Sequence, residues 1–259
     1  MSRVLVVLAA AGFLSAGPAP PPAAPSPAVR VAAAADLKFA LDDIAIRLGR
    51  REPAIRVAPV YGSSGLMHAQ LGQHAPFDVF LSADIAYPKD LVSRGIGSER
   101  DLFTYAVGRI VVWVPKSSAL PIERDGLRAL MAASRIAIAN PLHAPYGRAA
   151  ESALRRAGVW QTVSGKLALG ENVAQAAQFV QSGAASAGII AKSVALSPAM
   201  RDGGRWWDVP TDAYPVLTQG GLILPWATSR EAALRFRDYL LSSEGRGVLA
   251  SYGFGSPAS

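Results

Sequence analysis

Residues 29–51, VRVAAAADLKFALDDIAIRLGRR, contain the change of period that sets the fold class. Val29 to Ala34 reads as a short apolar strand. Leu37, Leu41, Ile44 and Leu48 then recur at i, i+4, i+7 and i+11, the stripe of one helix face. Asp36 stands at the junction, where a side-chain oxygen can cap the first free amides of the helix. A strand running directly into an amphipathic helix is a βα unit, and the chain repeats that unit.

Strand IRVAPVY (55–61) leads through GSSG (62–65) into a helix toward Leu71, and FDVFLS (77–82) precedes a helix near Tyr87 to Arg94. RIAIAN (135–140) passes through PLHAP into a helix beginning near Tyr146, and KLALG (166–170) into one beginning near Asn172. SAGII (186–190) is a further strand. Two long β runs, FTYAVGRIVVWV (103–114) and YPVLTQGGLIL (214–224), flank the middle set, and helices at 230–241 and 244–252 close the chain. The expected fold is α/β with two lobes, each a doubly wound, mainly parallel βα sheet, joined by crossing strands. Lobe I is expected over 29–108 plus 218–259, and lobe II over 109–217.

Composition narrows the chemistry. The chain has 259 residues, 51% of them apolar, which is enough to bury one large or two small cores. It has no Cys, so disulfides, thiolate metal sites and cysteine nucleophiles are excluded. None of its three histidines, His68, His74 and His143, shares a helical metal-ligand spacing with another, so no zinc chemistry is expected. The formal charge is +7, but the arginines are scattered in ones and twos and are not clustered among aromatics. They read as solvated helix faces and not as a nucleic-acid surface.

The first residues, MSRVLVVLAAAGFLSAG, have the secretory pattern of a positive charge, an apolar run from Val4 to Leu14, and small residues. The Pro/Ala stretch of residues 18–28 reads as a spacer, so residues 1–28 are taken as signal peptide and spacer. A lipoprotein anchor would need a cysteine. The mature protein is expected to be exported and soluble.

In open α/β sheets, ligands settle beyond the carboxyl ends of the strands, where helices begin. A helix start carries up to four unpaired N–H groups and about half a positive charge, which makes it an anion site. Four junctions suit that role: Ala35-Asp36 and Ser63-Ser64 on one lobe, Tyr146 and Asn172-Val173 on the other. No Lys or Arg occupies these turns, which favours neutral donors, including the hydroxyl of Ser63 or Ser64, around one small anion. Taken singly, GSSG is a turn with a serine cap, Asp36 is a structural cap, and Tyr146 and Val173 are core or edge residues.

The stretches VAAAADLKFALDDIA (31–45), PVYGSSGLMHAQL (59–71), APFDVFLSAD (75–84), GRIVVWVPK (108–116), IANPLHAPYGRAAESAL (138–154) and LLSSEGRGVLASYGF (240–254) resemble the periplasmic molybdate-binding proteins of bacterial ABC importers. The resemblance runs in order from about Val31 to Phe254. It implies a type II two-lobed periplasmic binding protein, not an enzyme, that holds molybdate or tungstate as a bare oxyanion in the interlobe cleft. It implies no cofactor and no metal cation, a monomer, and delivery to an inner-membrane ABC permease. Its ligand positions fall at Asp36, Ser64, Tyr146 and Val173.

Two departures stand out. Some members donate a tyrosine hydroxyl where this chain has Ala191, and a hydroxyl-bearing or amide residue is usual where it has Asp36. An ionised carboxylate aimed at a dianion about 4 Å away would repel it by several kcal/mol at an effective dielectric near 20. Asp36 is therefore expected to offer its backbone N–H while its carboxylate turns away to cap the helix.

Other functions fit less well. A hydrolase would need the last glycine of a GxSxG elbow, where Leu66 stands, and His68 follows Ser64 on the same helix without base geometry. A ligand-sensing regulatory domain shares the two-lobe fold but does not fit an export signal. Within the binding proteins, sulfate or phosphate is the alternative ligand.

Overall fold

The structure, a computed structural model, describes residues 28–257. The export segment and nearly all of the Pro/Ala spacer lie outside these residues.

The first half runs β1 (Ala28–Ala34), a 3-10 turn (Ala35–Leu37), α1 (Lys38–Arg51), β2 (Arg56–Gly62), α2 (Ser64–Leu71), β3 (Val79–Ser82), α3 (Ala86–Ser93), β4 (Leu102–Gly108) and β5 (Ile110–Pro115). Then follow α4 (Ile122–Asp125), β6 (Ile136–Ala139), α5 (Pro145–Arg156), α6 (Trp160–Val163), β7 (Leu167–Gly170), α7 (Val173–Gln181) and β8 (Ala187–Ala191). The chain ends with α8 (Lys192–Ala195), α9 (Pro198–Gly203), β9 (Gly204–Asp208), β10 (Leu217–Ile223), α10 (Arg230–Leu241) and α11 (Ser243–Ser251). Among the described residues no helix is long and apolar enough to cross a membrane.

Two five-stranded sheets result, ordered β2-β1-β3-β10-β4 and β7-β6-β8-β5-β9. In the first, β10 alone is reversed, antiparallel to both β3 and β4. In the second, β5 is the reversed strand, between β8 and β9. Each reversed strand is the one that enters from the other lobe. The run 103–114 is therefore not one strand: it breaks at Arg109, with β4 in one sheet and β5 in the other. Edge strand β9, GRWWD, escaped sequence reading because it is short and half-exposed, with no apolar alternation to mark it.

The central strands of the first sheet are covered on both faces, which explains why they are largely apolar. Val31, Ala33, Val79, Leu81 and Ile223 pack against Leu41, Ile44 and Leu48 of α1 and Phe236 and Leu240 of α10. The alternate residues Ala32, Phe80 and Leu222 face Met67, Leu71 and Leu91 of α2 and α3. The period of two along each strand thus divides one sheet between two cores. Both sheets direct the carboxyl ends of their parallel strands at the interlobe cleft.

Leu41 has no exposed surface. Leu41→Ala is expected to cost about 2–5 kcal/mol, lowering the urea midpoint at unchanged slope. A loss below about 1 kcal/mol would show that α1 is not packed as described.

Candidate functional site

Four helix starts converge on one small cavity between the lobes, with about 210 Å³ of atom-free space including its mouth. Its twelve lining residues include Asp36, Ser64, Tyr146 and Val173, with Ser63 and Asn172, and none is Lys or Arg. All four residues singled out from sequence are nearly inaccessible, between 1% and 3% exposed. A wider groove lies elsewhere on lobe II, beside Arg124, Arg156 and Trp207. Its guanidinium groups at Arg124 and Arg156 are engaged by Asp125 and Asp212.

Local hydrogen bonding decides which donors remain free. Asn172 caps α7, its Oδ1 accepting from the N–H groups of Ala174 and Gln175 at 3.1 and 3.0 Å. That satisfies the second and third amides and leaves Val173 N–H, at the first position, without an intrahelical acceptor. Ser64 N–H and Tyr146 N–H likewise stand in the first turns of α2 and α5. Ser64 Oγ accepts from Ala83 N–H at 3.0 Å, so its own hydrogen is available to donate.

The two adjacent serines differ. Ser63 Oγ donates to the His143 carbonyl at 2.7 Å and lies 2.9 Å from His143 Nδ1, tying α2 to the loop before α5. Gly65 N–H reaches the same carbonyl at 3.0 Å. This close approach requires glycine at 65, since a Cβ would sit 2.5 Å from the His143 oxygen. Arg148 adds a third tie between lobes, donating to Asp84 at 2.7 Å and to the Tyr87 hydroxyl at 3.0 Å. The cleft is closed.

The expectation for the Asp36 side chain needs correction. Asp36 lies inside the 3-10 turn and its carboxylate caps no helix. Oδ2 instead accepts from the Tyr146 hydroxyl at 2.8 Å and from Gln219 Nε2 at 2.5 Å, a cluster spanning both lobes. The cap geometry fails because two strong donors from α5 and β10 compete for the oxygen. The Tyr146 hydroxyl is thus committed to Asp36, and it also accepts from Gln219 at 3.2 Å. Asp36 Oδ1 is buried without a partner among the described residues. The Asp36 carbonyl accepts from Ser193 Oγ at 2.7 Å.

Sequence reading missed Gln219 and Gly108. Gln219 is a polar residue inside an apolar β run and is fully buried, the one local sign that it has a specific partner. Gly108 leaves room for the cluster: a Cβ there would collide with the Tyr146 hydroxyl and come within 2.9 Å of Gln219 Nε2.

Burial pushes the Asp36 carboxyl up to about 6, against smaller lowering effects from Gln219, Tyr146 and its own backbone N–H. Between the ordinary carboxylate value and 6 the folded protein binds more protons than the unfolded chain, so stability falls as pH rises through this window. Asp36→Asn removes that cost. In ligand-free protein the substitution is expected to add on the order of 2–3 kcal/mol at pH 7.5 relative to pH 4, read from urea unfolding. An equal effect at both pH values would contradict the raised carboxyl.

Residues 29–255 match the model of the bacterial extracellular solute-binding protein family. The chain is 35% identical over 258 residues to the molybdate-binding protein ModA of Azotobacter vinelandii, covering 98% of each. It is 36% identical over 200 residues to the molybdate-binding protein ModA of Rhodobacter capsulatus, covering 76% of this chain and 77% of that one. Among solved structures, the Azotobacter vinelandii periplasmic molybdate-binding protein superposes with a TM-score of 0.83 at 27% identity, covering 89% of this chain and all of the other. Two mixed sheets, a closed interlobe cleft and this full-length likeness agree: the chain belongs to the bacterial extracellular solute-binding protein family.

Proposed function

We propose that this protein captures molybdate, and tungstate with it, in the interlobe cavity and delivers the oxyanion to an ABC importer. The observation that carries the reading is a small interlobe cavity built from helix-start amides of both lobes, with no Lys or Arg in its lining. Two of the similar proteins are themselves named molybdate-binding, which supports the choice of anion.

The N–H groups of Asp36, Ser64, Tyr146 and Val173 and the hydroxyl of Ser64 hold the anion's oxygens. Donors on the anion replace the water it leaves, and each becomes stronger as the cleft excludes solvent. No protein group touches the metal centre of the anion, and no resident cofactor takes part. Residues 29–108 with 218–259 form one jaw and 109–217 the other. An anion bonded to both jaws favours the closed state by its differential contacts, and release follows reopening. Neutral donors suit reversible capture, because they hold a charge without forming a permanent ion pair. Size sets selectivity: molybdate and tungstate are larger than sulfate at the same charge.

The working protein is a periplasmic monomer, exported by the segment at residues 1–28, whose closed form docks on an inner-membrane permease.

Calorimetric titration with molybdate, tungstate, sulfate and phosphate tests the reading. Molybdate and tungstate are expected to bind at least about tenfold more tightly than sulfate or phosphate. Ser64→Ala should weaken molybdate by about 1.5–3 kcal/mol, the usual worth of a hydrogen bond to a charged group. Phosphate binding more tightly than molybdate would overturn the assignment, and an unchanged Kd in Ser64→Ala would remove Ser64 from the site.

A further inference from the structure

We propose that capture is proton-coupled at Asp36: when the dianion enters, the carboxyl takes one proton from solvent onto Oδ1, and that O–H donates to an oxygen of the anion. This rests on the oxyanion reading above and assigns its acidic residue a role. The carboxyl lines the cavity and is 1% exposed. Its Oδ2 is saturated by Tyr146 and Gln219, whereas Oδ1 has no donor among the described residues. A buried carboxylate oxygen without a donor is costly, and a dianion placed in the same cavity makes the ionised form costlier still. Protonation removes the repulsion and converts an orphan acceptor into a donor. Burial by itself moves the carboxyl toward neutrality.

Among the described residues the cations near the Asp36 turn, Lys38 and Lys192, are each paired with a carboxylate. The titratable groups on the elements around Asp36 are largely phenols. Tyr146 on α5 donates to it, and Tyr105 on β4 donates to the Ser82 carbonyl. Tyr61 on β2 is bonded to Asp42 and to the Lys38 carbonyl, and Tyr214, beside Tyr146, lies against Ile110 N–H. Burial raises all four phenols, so they stay neutral. Lys38, two residues along, is held by Asp42 at 3.0 Å, and Lys192 before Ser193 by Asp208 at 2.7 Å. Glu171 precedes the cap of α7 and is exposed. His143 turns to Ser63.

The sign follows. The carboxyl's pKa is higher in the complex than without the anion, so affinity is greatest in acid and falls as pH rises above the carboxyl's value in the anion-free protein. The loss approaches tenfold in Kd per pH unit until the carboxyl of the complex itself ionises.

Calorimetry with sodium molybdate at pH 7.5, in buffers of different ionisation enthalpy, counts the protons. The wild type is expected to take up about one proton per anion, and its Kd to rise about tenfold from pH 6.5 to 7.5. Asp36→Asn, which keeps an acceptor for Tyr146 and Gln219 and places an N–H₂ at the Oδ1 position, is expected to take up none and to bind with one Kd across that range. Molybdate binding by the wild type without proton uptake would overturn the proposal while leaving the oxyanion reading standing. Uptake persisting in Asp36→Asn would also overturn it, placing the proton elsewhere. Absence of molybdate binding at every pH would overturn the oxyanion reading and this inference together. If Asp36→Asn does not fold, the wild-type proton count alone decides.

Discussion

An oxyanion stripped of water must find a donor for nearly every oxygen lone pair it gave up, and in the proposed site those donors are main-chain amides that helices cannot use themselves. The first turn of every α-helix leaves N–H groups without carbonyl partners. Here the starts of α2, α5 and α7 and the 3-10 turn before α1 meet in one cavity. Much of the rest of the fold serves that meeting. The parallel strands of both sheets aim helix starts at the same cleft, and Asn172 satisfies the amides of Ala174 and Gln175 but leaves that of Val173. Ala83 occupies the acceptor side of the Ser64 hydroxyl and leaves its hydrogen.

A site of neutral donors gains its selectivity from shape and its reversibility from the absence of a fixed counter-charge, yet this one also contains a carboxyl. Asp36 is tolerated because Tyr146 and Gln219 grip one of its oxygens from two elements, helix α5 on one side of the cleft and strand β10 on the other. The cluster is therefore both a charge-handling device and a tie across the cleft. Ser63 with His143 and Arg148 with Asp84 supply further ties around the same opening. Arg148 and Asp84 are partly exposed, so their pair contributes modestly and can break on opening.

Much of this is legible in the amino-acid sequence. The switch from a period of two to the 3.6-residue stripe at Asp36 announces a βα unit, and its repetition announces the sheets. Helix starts are local features, so Ser64, Tyr146 and Val173 could be placed at them from nearby residues alone. The carboxyl's partners could not, because Tyr146 and Gln219 stand 110 and 183 residues away and no local pattern joins them to Asp36. Local reasoning assigned the nearest donors, the helix amides, and donors from distant elements won. The break at Arg109 was hidden for a related reason: β4 and β5 are both apolar and continuous in sequence, and only their pairing with β10 and with β8 divides them. Gly108, adjacent to that break, gains its meaning from a hydroxyl on another lobe.

The most direct test is a crystal structure of the molybdate complex. The account predicts the anion in the interlobe cavity, with the N–H groups of Asp36, Ser64, Tyr146 and Val173 and the Ser64 hydroxyl at about 2.7–3.1 Å from its oxygens. It also predicts no lysine or arginine side chain in contact with the anion. An anion gripped by guanidinium or ammonium groups, or seated outside this cavity, would contradict it.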